Sequence, residues 1–258
     1  ATMPPRVLIA SHLFPSEARP HSAPWLAEQV RALVEAGADV EVLCCSPAET
    51  GGESIIRSGG REIPVHYRST SAGMLDGTRA GLLLSTMRYR GRALAFLNAR
   101  RGELDLVNAH FGFPDGYVMS RLGAEMGLPV VVTLHGSDVT RGLSRAGLAG
   151  ARIRAAVGRA SRVVCVSDAL AEAVRGLLPA SARVIAIPNG YDDRLFQLRP
   201  FGQAASPVAQ ALDAPERNLG YLFVGALREV KNVLALVEVY LARPDLHQLP
   251  LTVVGDGP

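Results

Sequence analysis

The stretch Tyr221-Leu-Phe-Val-Gly-Ala-Leu-Arg-Glu-Val-Lys-Asn232 joins a short apolar run, typical of a buried strand, to a pattern typical of a helix. Gly225 stands at the junction, where a tight turn is needed. Arg228 and Lys231 are three residues apart, so one helical turn would direct both side chains the same way. Lys231 is the only lysine among 27 basic residues. Two cations beside helix N-terminal amides predict a site for a diphosphate; the alternative is a solvated helix start.

The same succession of strand and helix runs through the upstream part of the chain. The predicted strands are Arg6–Ala10, Asp39–Cys45, Ile63–Tyr67, Leu106–Ala109, Pro129–Leu134, Arg162–Val166 and Arg183–Ile187. The predicted helices are Ala23–Ala36, Thr78–Arg101, Pro114–Met126, Ser144–Arg159 and Asp168–Leu178, with Ser167 as the N-cap of the last. Most of the strands are almost wholly apolar, which indicates a parallel sheet buried on both faces. The pattern predicts an α/β, doubly wound, Rossmann-like parallel-sheet domain.

Changes in the pattern divide the chain into domains. We predict a Rossmann-like domain over residues 5–200 and an interdomain linker over 201–217, where the periodicity lapses into Pro, Gly, Ser and Ala. A second Rossmann-like βαβ unit follows over 218–258, with strands Leu219–Val224 and Leu251–Val254 around a helix Asn232–Ala242. One such unit of about 40 residues is too small to bury a core alone, so we expect this second domain to be truncated.

The composition is that of a soluble globular protein, with 48% hydrophobic and 20% charged residues. No apolar run reaches the roughly 20 residues that span a bilayer. Cys44, Cys45 and Cys165 lie in apolar runs, and the N-terminus lacks a secretory signal, which together predict buried thiols in a reducing cytoplasm.

Positive charge is concentrated between Arg57 and Arg101, where nine arginines face only Glu62 and Asp76. A local excess on a protein of net charge +3 predicts a local anionic partner and no nucleic acid. Within this region residues 78–101 mix Leu, Met and Phe with arginine. That mixture fits an interfacial helix at the anionic inner face of a membrane, and it also fits the commoner case of a core-packed helix with a solvated basic face.

Polar motifs follow several predicted strands, which is where open α/β sheets bind ligands. In Thr133-Leu-His-Gly-Ser-Asp138, His135 could hydrogen-bond a sugar hydroxyl or stabilise developing charge, and Gly136 would allow close approach of a backbone. Asp138 fits either a site residue or an ordinary N-cap or Asx-turn. His110 follows another strand and is either a ligand contact or a satisfied, semi-buried histidine.

Two further strand ends carry weaker signals. Asn189 could reach a ligand, although Asn-Gly is first of all a turn. Gly255, Asp256 and Gly257 could complete the diphosphate cradle with Gly225, although Gly-Asp-Gly is also an ordinary loop. The first loop, residues 11–25, is either a structural loop or one that contacts substrate. It lacks the dinucleotide fingerprint Gly-x-Gly-x-x-Gly, which argues against a nicotinamide enzyme. No metal-ligand spacing and no serine-hydrolase motif is present, so we predict no metal and no cofactor.

Taken in order, these motifs resemble the family-4 group of retaining glycosyltransferases with the GT-B fold. The resemblance covers nearly the whole chain and rests on His110-Phe-Gly-Phe-Pro-Asp-Gly116, Thr133-Leu-His-Gly-Ser-Asp138, Pro188-Asn-Gly-Tyr-Asp192, Val224-Gly-Ala-Leu-Arg-Glu-Val-Lys-Asn232 and Val254-Gly-Asp-Gly-Pro258. The first of these is similar to members of a subgroup that builds cell-surface polysaccharides of the teichuronic-acid type.

The resemblance implies two facing domains, with a glycan or lipid-linked acceptor mainly on the first and a nucleotide-diphosphate sugar mainly on the second. Arg228 and Lys231, beside Gly225, would hold the donor diphosphate, and Gly255 to Gly257 would lie beside the base. His135 would be the catalytic residue next to the transferred sugar. Asn189, Gly136, Asp138 and His110 would lie near the cleft. Transfer would proceed with retention, without a metal or an enzymatic nucleophile.

The chain departs from the family pattern in two places. The first loop has His21-Ser-Ala-Pro24 where family members often have a Gly-Gly pair. The family's two glutamates, spaced eight positions apart, would lie beyond Pro258, so we expect the 258-residue chain alone to be inactive. The alternatives are a GT-B-like nucleotide-sugar epimerase, which would need acid and base carboxylates in the cleft, and a non-catalytic sugar-binding protein.

Overall fold

The computed structural model describes residues 3–143, 147–178, 183–193 and 220–257. The chain divides into two compact units, Ala1–Asp192 and Asp193–Pro258. The predicted linker 201–217 lies outside the described residues. The domain bounds 5–200 and 218–258 therefore stay predictions.

A single sheet forms the centre of the first unit. Its strands among the described residues are β1 (Arg6–Ser11), β2 (Asp39–Ser46), β3 (Gly52–Ser58), β4 (Arg61–Ser69), β5 (Leu106–His110), β6 (Val130–Leu134), β7 (Arg162–Cys165) and β8 (Val184–Ala186). They lie in the order β3-β4-β2-β1-β5-β6-β7-β8. All pair in parallel except β3, which pairs antiparallel with β4. The predicted parallel sheet is confirmed.

Helices cover both faces of this sheet. They are α1 (Pro24–Glu35), α2 (Arg79–Ala99), α3 (Tyr117–Met126), α4 (Leu148–Arg159) and α5 (Asp168–Arg175). Along β1, Leu8 and Ala10 enter one buried cluster, whereas Val7 and Ile9 enter the other, as the period of two requires. Helix α1 packs in the second cluster, and α2 to α5 pack in the first. Helices on both faces confirm the doubly wound architecture.

Strand β3 was not predicted from the sequence, because it lies at the edge of the sheet. Most of its side chains are exposed, so the segment lacks the apolar run by which the buried strands are recognised. Its residues are instead paired along their whole length with β4, from Gly52 opposite Tyr67 to Ser58 opposite Arg61.

In the first unit, helices α3 and α4 are observed from positions three or more residues later than predicted, whereas α1 and α2 start one residue later than predicted. Helix α3 begins at Tyr117 and not at Pro114, because residues Gly112–Gly116 form a π-helical turn in which Phe113 is extended, at φ −148° and ψ 134°. Helix α4 is observed from Leu148, and residues 144–146 of the predicted helix lie outside the described residues. Ser167 caps α5 as predicted, accepting a hydrogen bond from the Leu170 amide at 3.3 Å.

The second unit contains one βαβ element. Strands β9 (Tyr221–Val224) and β10 (Leu251–Val254) pair in parallel and are connected through helix α6 (Val233–Ala242). The helix starts one residue later than predicted, because Asn232 adopts the left-handed conformation at φ 52°. Arg228 is extended and Lys231 belongs to a 3-10 turn, Glu229–Lys231. A 3-10 turn therefore replaces the α-helical turn expected between them, and the alignment of the two side chains stays a prediction.

Helix α3 packs closely on the sheet because Gly123 has no side chain. A Cβ atom there would lie 2.3 Å from Cγ2 of Val130 and 2.6 Å from the carbonyl oxygen of Leu128. We expect Gly123→Ala to lower the free energy of unfolding by about 1–3 kcal/mol through overpacking.

The matched control is Gly158→Ala in α4, where nothing lies within 4 Å of an added Cβ. That change should raise the free energy of unfolding by about 0.5–1 kcal/mol, because alanine favours the helix over glycine. Urea denaturation measures both. Equal effects of the two substitutions would contradict the packing explanation.

Candidate functional site

Three adjacent strands of the first unit, β1, β5 and β6, end side by side at one edge of the sheet. The order of connection reverses between β1 and β5, and the carboxyl ends of strands at such a switch point border a crevice. His12 follows β1, His110 ends β5 and His135 follows β6. The sheet therefore brings together three imidazoles that are far apart in the sequence.

His135 lies at the centre of an aromatic cluster. Its ring centroid is 4.3 Å from that of Trp25 and 4.6 Å from that of Phe111. His110 is stacked on it at 5.5 Å, with Nδ1 of His110 3.3 Å from Nε2 of His135. His110 is fully buried, so in this structure its side chain contacts His135 from inside the protein. Trp25, Phe111 and His12 are only partly buried.

Both stacked histidines are neutral at neutral pH. Burial and, to a smaller extent, the neighbouring His135 lower the pKa of His110 to about 3. Burial also lowers the pKa of His135 to about 4, with a contribution from the charge of His12. Either ring can therefore donate one hydrogen bond and accept another, as a neutral imidazole does.

Asp138 joins the loops that follow β5 and β6. Its Oδ1 accepts from the Gly112 amide at 3.0 Å, and its Oδ2 accepts from the His135 amide at 2.9 Å. Burial raises the pKa of Asp138 to about 6, and the hydrogen bonds from these two amides oppose that rise. Its contacts are those of a turn-stabilising residue.

A second buried carboxylate, Asp115, connects the loop after β1 to the same edge. His12 Nδ1 lies 2.5 Å from its Oδ2, and the hydroxyl of Tyr89 donates to its Oδ1 at 2.9 Å. Burial raises the pKa of Asp115, whereas His12 and Tyr89 lower it. Burial lowers the pKa of His12, but the charge and hydrogen bond of Asp115 outweigh burial, so the pKa is raised.

The sequence did not single out His12, Trp25, Tyr89 or Asp115 as site residues. Asp115 lay inside the quoted motif after β5, and His12 and Trp25 lay inside the first loop, but nothing linked the two segments. Tyr89 is in the middle of α2, 26 residues before Asp115. The one available signal was an acidic residue, Asp115, in an otherwise apolar and glycine-rich stretch.

In the second unit the loops after β9 and β10 interlock, that is, they are joined by backbone hydrogen bonds and packed against each other. The Gly225 amide donates to the Val254 carbonyl at 3.0 Å, and the Leu227 amide donates to the Asp256 carbonyl at 2.7 Å. A Cβ atom on Gly255 would lie 1.9 Å from the carbonyl oxygen of Gly225, so only glycine fits there.

Gly257 is close-packed in the same way, since a Cβ there would lie 2.6 Å from the carbonyl oxygen of Leu227. Arg228 and Lys231 lie exposed in the segment that continues from the loop after β9 toward α6. Among the described residues neither side chain has an ion-pair partner. The structure thus places the predicted cations beside the predicted glycine-rich loop within one unit.

The other predicted site residues are exposed. Gly136 has open space where a side chain would project. Asn189 is exposed in the segment after β8. Within the described ranges no group of three or more His, Cys, Asp or Glu side chains is arranged to hold a metal ion. None of the described helices is long and apolar enough to cross a membrane.

The neutral state of His135 predicts a dependence of stability on pH. The unfolded chain protonates this histidine near its ordinary pKa of 6.5, but the folded chain does so only near 4, so stability is lost as pH falls between these values. Between pH 7 and pH 5 the wild type should lose about 2 kcal/mol more unfolding free energy than His135→Gln, which cannot titrate.

Urea denaturation at the two pH values measures the difference. Asp138 has the opposite effect, because its raised pKa makes the folded state more stable as pH falls. This effect is present in both the wild type and His135→Gln, so it cancels in the comparison. His21→Gln, at an exposed histidine, should retain the wild-type dependence. An identical loss in the wild type and His135→Gln would contradict the prediction.

The chain is similar to curated and solved proteins over nearly its whole length. It is 27% identical to the teichuronic acid biosynthesis glycosyltransferase TuaC of Bacillus subtilis, covering 98% of this chain and 66% of that protein. The crystal structure of Anabaena Alr3699/HepE in complex with UDP matches with a TM-score of 0.57 at 19% identity, covering 98% of this chain and 61% of that one.

The α,α-trehalose-phosphate synthase (UDP-forming) of Burkholderia vietnamiensis matches with a TM-score of 0.54 at 16% identity, over 98% of this chain and 64% of that one. The chain therefore spans about two thirds or less of the length of these relatives. The structural likeness confirms the GT-B fold class predicted from the sequence. A family model described as Glycosyltransferase Family 4 matches residues 25–195, more than half of the chain, and the chain belongs to this family.

Proposed function

We propose that this protein transfers a sugar from a nucleotide-diphosphate sugar to an acceptor, with retention of configuration at the anomeric carbon. The observation that carries the proposal is the interlocked pair of loops after β9 and β10, beside which Arg228 and Lys231 stand exposed. TuaC is named as a glycosyltransferase, and HepE was solved with UDP, which supports the same activity here. Because the chain spans 66% and 61% of these two proteins, the activity of the whole protein is part of the proposal.

The loops suit a diphosphate for two reasons. Gly255 and Gly257 are exposed and, like Gly225, have no side chain, so phosphate oxygens can approach the solvent-facing side of their backbone. Arg228 can donate two parallel hydrogen bonds to phosphate oxygens, and Lys231 adds a compact charge. As the bond between the sugar and the diphosphate breaks, negative charge grows on the leaving group, and fixed cations stabilise that charge without reorganising. Asp256 and its neighbouring glycines would lie beside the base.

His135 is the proposed catalytic residue of the first unit. It is neutral, it lies at the carboxyl ends of the strands, and its ring is held between Trp25 and Phe111. A neutral imidazole in this position can hydrogen-bond a hydroxyl of the transferred sugar. Gly136 and Asn189, both exposed at strand ends, would border the substrate, and Asp138 would hold the loop that carries His135.

Retention follows in our proposal from attack on the same face that the diphosphate leaves. The acceptor oxygen bonds to the anomeric carbon as the carbon–phosphate oxygen bond breaks, and the hydroxyl proton passes to the departing phosphate. This step needs no carboxylate from the protein. The buried carboxylates in the loops that follow the described strands are already engaged: Asp115 by His12 and Tyr89, Asp138 by backbone amides, and Glu49, after β2, by Ser16 and Arg19. That engagement favours transfer over an epimerase, which would need carboxylates as acid and base.

The acceptor in this proposal is a glycan or a lipid-linked glycan of surface polysaccharide synthesis. The likeness to TuaC, named for teichuronic acid biosynthesis, supports this class.

A peripheral contact with the anionic inner face of a membrane is the second part of the proposal. The start of α2 and the turn before it expose Met74, Leu75, Leu82, Leu83 and Met87. The turn is fixed on the helix, because a Cβ atom on Gly81 would lie 1.9 Å from the carbonyl oxygen of Leu75. Further along, Arg88 hydrogen-bonds the Ser71 carbonyl, Arg90 pairs with Glu125, and Arg92 is exposed. Apolar side chains flanked by arginines suit an interface of lipid head groups.

A thermal-shift panel of UDP, GDP and ADP tests the donor site on the full-length protein. At least one nucleoside diphosphate should raise Tm, because a ligand that binds only the folded state stabilises it. Arg228→Ala and Lys231→Ala should each weaken its binding about tenfold through the loss of a charged hydrogen bond.

The control is Arg243→Ala, which removes an exposed arginine of the same unit that pairs with Asp245. No response to any diphosphate, or equal losses for all three variants, would remove the donor-site assignment. Release of the diphosphate from the corresponding nucleotide sugar, lost in His135→Ala, would then support transfer.

Flotation with vesicles containing anionic lipid tests the membrane contact. Neutralising Arg88, Arg90 and Arg92 together should abolish flotation, and the double variant Leu82→Ser/Leu83→Ser should weaken it at least about tenfold by removing apolar side chains from the bilayer. Leu148→Ser, at an exposed leucine of α4, is the control and should float as the wild type does. Equal flotation of all variants would refute the contact.

A further inference from the structure

Between the rings of His110 and His135 there is room for only one proton. Nδ1 of His110 faces Nε2 of His135 at 3.3 Å, and both rings are neutral. Either His110 donates from Nδ1, which leaves the proton of His135 on its own Nδ1, or His135 donates from Nε2, which leaves its Nδ1 as a bare acceptor. The two arrangements give His135 opposite roles toward a ligand.

The buried side of the pair distinguishes these arrangements. Nε2 of His110 is buried and has no hydrogen-bond partner within the described part of the chain. In the first arrangement this atom carries only a lone pair, whereas in the second it carries an N–H. An orphaned N–H group is the rarer of the two in protein interiors, since acceptors are left under-satisfied more readily than donors. The first arrangement is therefore favoured.

The backbone holds the two rings in this relation. His110 and Thr133 are opposite each other in the register of β5 and β6, and Phe111 donates its amide to the Thr133 carbonyl at 2.8 Å. Asp138 binds the amide of His135 and that of Gly112, which fixes the loops beyond both strands. With its backbone fixed and its ring between Trp25 and Phe111, His135 keeps its orientation without a ligand.

We infer that His110 is a positioning residue that donates from its Nδ1 to Nε2 of His135 and thereby keeps His135 protonated on Nδ1, as a hydrogen-bond donor. His135 would then bind an oxygen acceptor, such as a sugar hydroxyl oxygen, and not a hydroxyl proton. The catalytic part of this inference rests on the proposed function. The tautomer itself does not, because it is set within the first unit.

The tautomer is measured by long-range ¹H–¹⁵N correlation spectra of the protein labelled on histidine nitrogens. The His135 signals are assigned by their loss in His135→Gln. We expect a protonated Nδ1 and an unprotonated Nε2 on His135. The reverse pattern in the wild type would overturn the inference, and this spectrum needs no variant of His110.

Two substitutions of His110 provide a matched pair. In His110→Asn the amide nitrogen is as many bonds from Cα as Nδ1 of histidine, so a donor to His135 is retained. In His110→Gln the amide nitrogen corresponds to Nε2, so that donor is lost. We expect His135 to stay protonated on Nδ1 in the asparagine variant and to shift toward Nε2 protonation in the glutamine variant. An unchanged tautomer in both variants contradicts the role of His110.

Steady-state kinetics of diphosphate release by the full-length protein test the catalytic consequence. The kcat of His110→Gln should fall about tenfold with KM unchanged, the loss expected of one hydrogen bond made in the transition state, and His110→Asn should recover most of it. Equal losses in both variants would show a structural role only. If the spectra agree with the inference but the wild type releases no diphosphate from any nucleotide sugar, the proposed function fails and the tautomer assignment stands.

Discussion

A carboxylate removed from water must be paired or hydrogen-bonded, and this constraint shapes the ligand-facing edge of the first unit. Asp115 is fully buried and is engaged by His12 from the loop after β1 and by Tyr89 from α2. Asp138 is nearly as buried and is engaged by backbone amides of the loops after β5 and β6. The two acids thus tie together segments from four parts of the chain. Removing the hydrogen-bond partners of either carboxylate would leave a carboxylate unpaired in the protein interior.

This arrangement fixes the position of His135. Its backbone amide is held by Asp138, its ring lies between Trp25 and Phe111, and His110 contacts it from the buried side. Burial, which raises the pKa of both acids, also lowers the pKa of His110 and His135 and keeps these two histidines neutral. One cause, desolvation, therefore sets both the scaffold and the hydrogen-bonding character of the candidate catalytic residue.

In the part of the second unit that the structure describes, residues 220–257, no acidic side chain is buried. There the loops after β9 and β10 approach so closely that Gly255 and Gly257 leave no room for a Cβ atom. Gly255 and Gly257 are nevertheless exposed, and Arg228 and Lys231 lie on the surface of the same unit. Motifs at these strand ends were recognisable from sequence because glycine and charge are local signals. The backbone conformation between Arg228 and Lys231 was not recognisable, since an α-helical turn was expected where the chain is extended and then forms a 3-10 turn.

The sequence by itself determined the alternation of strands and helices, because apolar runs and their periodicity reflect burial, and it determined the family through motifs kept in order along the chain. It also located His135, Arg228 and Lys231, since each follows a recognisable strand. Only the tertiary structure decided which residues surround them. Trp25, Tyr89 and Asp115 come from separate elements, and the contacts that join them depend on the order and register of strands in the sheet. The pairing of the edge strand β3 and the burial of His110 likewise depend on residues in other parts of the chain. A local sequence pattern carries no information about such contacts.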